Sequence, residues 1–137
     1  TNQDAFILHP KLAGNACYHF FAVCDGHGLI GHEVSGFLKQ NLSRNVEYNL
    51  KACKFDETKI KSAITQGFLQ TRRELMNSAI EVEHSGSTAV SVVILNNRLY
   101  SANVGDSRAI MVKQVNGDWI ALELTNDHKP DDPNEMK

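Results

Sequence analysis

Asp25 stands directly after the apolar run His19 to Cys24 and directly before Gly26-His27-Gly28. A carboxylate in that place is carried on a rigid strand terminus, and the glycine beside it lets the backbone approach a ligand closely. Oxygen donors of this kind suit hard cations such as Mg²⁺ or Mn²⁺. Asp4 opens a second apolar run, Asp4 to Leu8. If the two runs pair as strands, both carboxylates meet at one edge of the sheet. His27, two residues beyond Asp25, then stands where it can donate a proton. The same residues have a plainer reading. Asp-Gly pairs at strand ends are most often turns, and a histidine among glycines is most often a surface residue, so spacing alone leaves both readings open.

Periodicity supplies the elements that must position these residues. Asp4 to Leu8 and His19 to Cys24, separated by Pro10 and Gly14, read as a hairpin that ends in an Asp25-Gly26-His27-Gly28 turn cluster. Ile30, Val34, Phe37, Leu38 and Leu42 recur at helical spacing. Asp56 is the expected N-cap of a second helix, with Ile60, Ile64, Phe68, Leu75 and Ala79 on one face. Thr88 to Leu95 and Leu99 to Val104 form a strand pair across Asn96-Asn97, and Gly105-Asp106 turns the chain again. Ala109 to Val115 and Trp119 to Leu124 pair across Asn116-Gly117, a favoured type I′ turn. Strands, two helices and an antiparallel meander describe an α+β domain with helices packed on a sheet face.

The chain has 137 residues, 42% hydrophobic and 22% charged, with a net charge of -2, the composition of a soluble globular domain. Its basic residues are scattered rather than striped with aromatics, which argues against nucleic acid as a partner. No apolar run approaches the roughly 18 residues of a membrane span. The polar start, Thr1-Asn2-Gln3-Asp4, does not read as a signal peptide. Cys17, Cys24 and Cys53 form no CxxC pair and are expected to be small buried apolar side chains in a reduced, intracellular setting, cytoplasmic or nuclear. The polar tail Thr125 to Lys137 leads us to expect further chain after it.

Five blocks in order carry a resemblance. They are Asn2-Gln3-Asp4, Phe21-Ala22-Val23-Cys24-Asp25-Gly26-His27-Gly28, Gly86-Ser87-Thr88-Ala89, Ala102-Asn103-Val104-Gly105-Asp106-Ser107-Arg108-Ala109 and Leu124-Thr125-Asn126-Asp127-His128-Lys129-Pro130. Together they resemble the N-terminal half of the type-2C, metal-dependent serine/threonine protein phosphatases. The resemblance covers residues 1–137 as a partial catalytic domain. It implies a four-layer α-β-β-α sandwich of antiparallel sheets flanked by helices, incomplete at its C-terminal side. It also implies hydrolysis of phosphoserine and phosphothreonine on proteins with two Mg²⁺ or Mn²⁺ ions and a weaker third.

By position, Asp25 is implied to bridge two metals, Gly26 to offer its carbonyl, Asp4 to hold water on a metal, Asp106 to serve the third ion and His27 to act as general acid. Gln3 departs from the usual Glu; its amide is expected to hydrogen-bond water on a metal without adding charge. Leu29 replaces a third glycine. The family's two further Asp ligands and its phosphate-binding Arg have no counterpart in this sequence, so the chain alone is expected to show little or no activity. The alternative is a non-catalytic phosphatase-like binding or regulatory module. A half-domain of this kind is also expected to pair with a second copy. The remaining polar residues read as structural: Ser87, Thr88 and His128 within their loops, Arg108 bracing its turn, and His32, Arg72 and Arg73 on solvated faces.

Overall fold

A computed structural model describes residues 1–133 and 135 of the chain. Strand β1 (Asp4–Pro10) and strand β2 (Tyr18–Gly28) run antiparallel, pairing Phe6 with Val23 and Leu8 with Phe21. Side chains alternate along a strand, so Ile7, Phe20, Ala22 and Cys24 fall on one face and Phe6, Leu8 and Val23 on the other. The first set is buried and the second exposed.

Two helices close the buried face. Helix α1 (Gly31–Ala52) turns Val34, Leu42, Val46 and Leu50 inward at helical spacing, and the last three share a core with Phe20 and Cys24 of β2. Helix α2 (Ile60–Met76) packs on α1, with Ile60, Ala63 and Ile64 joining the core. The helices come close at Gly67, where an added Cβ would lie 2.7 Å from the Val46 Cα. A polar seam fixes their register: Asn45 Nδ2 donates to Thr71 Oγ1 (3.0 Å) and Glu74 Oε2 (2.8 Å), and Asn49 Nδ2 donates to Gln70 Oε1 (3.0 Å).

The chain then returns to the sheet as β3 (Ser85–Ser87), β4 (Ala89–Leu95) and β5 (Arg98–Val104). The strand order is β1-β2-β4-β5, with β3 paired to the far end of β2. A separate hairpin of β6 (Ile110–Val115) and β7 (Asp118–Glu123) follows, its turn residues Asn116 and Gly117 at φ 50° and 89° as a type I′ turn requires. Apart from half-buried Leu122, all of its residues are exposed.

This is the α+β architecture expected from the sequence: antiparallel sheets with both helices on one face. Of the four layers that the resemblance implies, the described residues contain one helical layer, one sheet and the hairpin. None of their helices is long and apolar enough to cross a membrane.

Four local expectations need correction. The Asp25-Gly26-His27-Gly28 cluster is not a turn; β2 runs on through Gly28 because Ser85–Ser87 supplies a pairing partner from far along the chain. Asp56 does not cap α2. Its Oδ1 accepts from the Thr58 N–H and hydroxyl (3.0 and 2.7 Å), and the helix starts later, at Ile60. Ala79 lies beyond the helix end. Of the cysteines, all of them free, only Cys24 is fully buried; Cys17 is exposed.

Candidate metal centre

β1 begins where β2 nears its end, which makes Asp4 and Asp25 register partners. Residues directly opposite on an antiparallel pair point to the same face. Here it is the face away from the helices, and both residues are exposed. Neither carboxylate has a hydrogen bond or ion pair among the described residues. Like charges directly opposite each other destabilise a sheet unless something neutralises them. Hard oxygen donors on two rigid strands, facing each other without a basic side chain, fit a divalent cation such as Mg²⁺ or Mn²⁺. Among the described residues no group of three or more His, Cys, Asp or Glu is gathered, so this edge offers a pair of carboxylates and not a full ligand set.

The backbone of Asp25 is fixed from the neighbouring strand. Its N–H donates to Thr88 Oγ1 (3.0 Å), and its carbonyl accepts from the Thr88 N–H (2.9 Å). The Thr88 hydroxyl also shares a hydrogen bond with Ser107 Oγ (2.6 Å). These bonds tie the Gly105-Asp106-Ser107 turn to Thr88, with Asp106 exposed on it. Gly105 has φ 100°, and a Cβ there would lie 2.8 Å from Thr88 Cγ2, so the turn demands glycine twice over.

The turn is braced from the tail. The His128 N–H donates to the Gly105 carbonyl (2.9 Å), and Arg108 makes a two-pronged bond to Asp127 (3.0 and 2.7 Å). That guanidinium holds the Asp127 carboxyl below the usual carboxylate range. Arg108 therefore fixes its turn, as the sequence suggested, and His128 bonds to the same turn.

Gly26 is buried within β2, and its N–H donates to the Gln3 carbonyl (3.2 Å). A Cβ at Gly26 would lie 2.5 Å from that carbonyl oxygen and would also strike the Gly31 carbonyl, so three backbone segments converge there only because the residue is glycine. His27 pairs with Gly86 and is exposed; a Cβ on Gly86 would lie 2.7 Å from His27 Nε2, so the ring lies against that glycine. Strand alternation puts His27 on the Asp25 side of the sheet. Had the cluster been a turn, that alternation would not apply. Cys24, just before Asp25, is buried in the core, where burial pushes its thiol up to about 11 and leaves it without nucleophilic character.

The structure thus pairs Asp4 with Asp25, sets Gly26 and His27 next along β2 and carries Asp106 on the turn that Ser107 ties to Thr88, and it leaves His32 exposed on α1 with its N–H bonded to Gln3. The sequence reading missed what Thr88, Ser107 and Gln3 contribute to this edge. Their signal was their place inside the motif blocks, next to the residues singled out.

The family model described as Protein phosphatase 2C matches residues 1–137. The "Probable protein phosphatase 2C 35" of Arabidopsis thaliana is 36% identical over 129 residues, 94% of this chain and 36% of its own length. The "Probable protein phosphatase 2C 55" of Oryza sativa subsp. japonica is 40% identical over 137 residues, 98% of this chain and 34% of its own length. Among solved structures, a serine-threonine phosphatase 2C from Toxoplasma gondii superposes with a TM-score of 0.83 over 99% of this chain and 48% of its own, at 24% identity, a likeness of fold. A C. elegans sex determining protein gives a TM-score of 0.75 at 26% identity, over 99% of this chain and 33% of its own. The chain spans about a third of the length of these curated relatives.

Proposed function

The chain belongs to the protein phosphatase 2C family, and from that premise we propose that it forms the Asp4–Asp25 side of a centre for metal-dependent hydrolysis of phosphoserine and phosphothreonine in proteins. The observation that carries this reading is the register pairing of two unneutralised carboxylates on the open face of the sheet. Two Mg²⁺ or Mn²⁺ ions, when bound, would supply an activated water and neutralise phosphoryl charge during in-line attack. Asp25 is suited to reach both ions, the Gly26 carbonyl to add a donor to one of them, Asp4 to hold water on a metal, and Asp106 to serve a weaker third. His27, on the same face, is suited to protonate the departing serine or threonine oxygen near neutral pH. Thr88 and Ser107 keep the Asp25 backbone and the Asp106 turn in fixed relation. Three free thiols support an intracellular setting, and a phosphoprotein is the substrate class.

A second reading has its own support. With no third carboxylate, His or Cys gathered beside the pair among the described residues, the chain would work as a phosphatase-like binding or regulatory module. Turnover of a phosphothreonine peptide with Mn²⁺ separates the two. We expect at most a small residual rate from the chain alone, lost on chelation and lost in Asp25→Asn. A residual rate that survives both treatments overturns the metal-dependent reading.

A further inference from the structure

Gln3 makes four hydrogen bonds at the candidate edge. Its Nε2 donates to the Gly28 carbonyl (3.1 Å), and its Oε1 accepts from the His32 N–H (3.1 Å). Its main-chain carbonyl accepts from the Gly26 N–H (3.2 Å) and from Ser35 Oγ (2.6 Å), a hydroxyl only 1% exposed. One residue thus joins the start of β1, the end of β2 and the first turn of α1.

The chemistry of the side chain matters here. Bridging a carbonyl and an N–H needs a donor and an acceptor on one flat group, which a carboxamide has and a carboxylate lacks. Helix α1 has no side-chain cap of its own: Ile30 occupies the N-cap position and cannot accept. Gln3 Oε1 takes a first-turn donor across 29 residues of sequence, and Ser85 Oγ takes the Ile30 N–H (3.0 Å) from β3. Steric fit points the same way. A Cβ on Gly31 would collide with Gln3 Oε1 and come within 2.7 Å of the Gly26 carbonyl carbon, so the amide sits in a slot that only glycine leaves open.

We propose that Gln3 is a positioning residue for the metal edge: its carboxamide clamps Gly28 to His32 and so holds the Gly26–His32 backbone that presents Asp25 and His27. The inference rests on the function proposed above. It replaces the simpler expectation that the amide faces water on a metal, because both of its ends are already engaged with backbone.

The test reads two quantities on the purified chain, Mn²⁺ affinity by calorimetry and amide hydrogen exchange at His32. In Gln3→Leu we expect His32 exchange to quicken about tenfold and Mn²⁺ affinity to fall about three- to tenfold, although no proposed ligand is removed. Gln3→Glu guards against a variant that fails to fold. It keeps the acceptor for His32 and loses the donor for Gly28, so His32 protection should persist while the Gly28 carbonyl ¹³C shift moves. Unchanged His32 exchange in Gln3→Leu overturns the clamp; faster exchange with unchanged Mn²⁺ affinity overturns its link to the metal edge. If the wild-type chain takes up no Mn²⁺, the function reading fails on its own account, and the exchange data still decide the clamp.

Discussion

Phe20 and Val23 lie three residues apart on β2 and live in different worlds. Phe20 is sealed beneath α1 at 0% exposure, whereas Val23, with Phe6 and Leu8 beside it, is about half exposed on the opposite face of the same sheet. A strand whose apolar residues run on without alternation, as Phe20-Phe21-Ala22-Val23-Cys24 does, is composed for burial on both faces. The helices cover one face here, and on the other Val90 is buried while Phe6, Leu8 and Val23 stay exposed. The chain's accessible surface of 8787 Å² exceeds by about 1,700 Å² the ~7,100 Å² expected of a compact monomer of its mass. The β6–β7 hairpin, exposed on both sides, adds to the excess, and an isolated two-stranded ribbon is marginal in water. Asp4 and Asp25 belong to the open face, not the sealed one. The helices therefore stabilise the platform, and the chemistry is displayed on its other side.

Core substitution should break this contrast most strongly. Phe20→Ala is expected to cost about 3–5 kcal/mol, from lost burial and the cavity left beneath α1. Leu8→Ala on the open face is expected to change monomer stability by no more than about 0.5 kcal/mol. Urea midpoints taken at concentrations low enough for the monomer compare the two directly, and equal losses would remove the distinction between the faces. Self-association comes next. We propose that a second copy covers the open face, where Phe6, Leu8 and Val23 form an exposed apolar patch. Light scattering should show a dimer that Leu8→Glu dissociates; a wild-type chain that stays monomeric at high concentration contradicts this.

The smallest effect concerns the helix seam on the sealed side. Hydrogen bonds from Asn45 and Gln70 hold the Glu74 carboxyl below the usual glutamate range, against an opposing effect of burial. A depressed carboxyl pKa stabilises the fold above the unfolded-state value, and that contribution fades as pH falls through the folded-state value. Glu74 is part-exposed, so the effect should stay below about 1 kcal/mol. Urea midpoints at neutral pH and near pH 3.5 should differ more in the wild type than in Glu74→Gln. An equal difference would show that the seam does not titrate.

Much of this was legible from sequence for a physical reason. Periodicity records which face each element buries, so the helices, the hairpin turn at Asn116-Gly117 and the meeting of Asp4 with Asp25 could all be read. Partners distant along the chain were not readable. Gly26-His27-Gly28 reads as a turn until Ser85–Ser87 arrives to pair with it, and Asp56 reads as a cap until Thr58 takes its carboxylate. Gln3 reads as a neutral substitute for an acid until Gly28 and His32 are found at its two ends. The first and third misses are tertiary contacts overriding a local preference, whereas at Asp56 one local turn, closed by Thr58 two residues on, displaces the cap.

Calorimetric titration with Mn²⁺ at neutral pH, run on the wild-type chain and on Asp25→Asn, bears most directly on the paired carboxylates. The expected result is weak binding to the wild type, as suits a partial set of hard oxygen donors, and an affinity at least about tenfold lower in the variant. An isotherm that is the same with and without the Asp25 carboxylate would contradict the account.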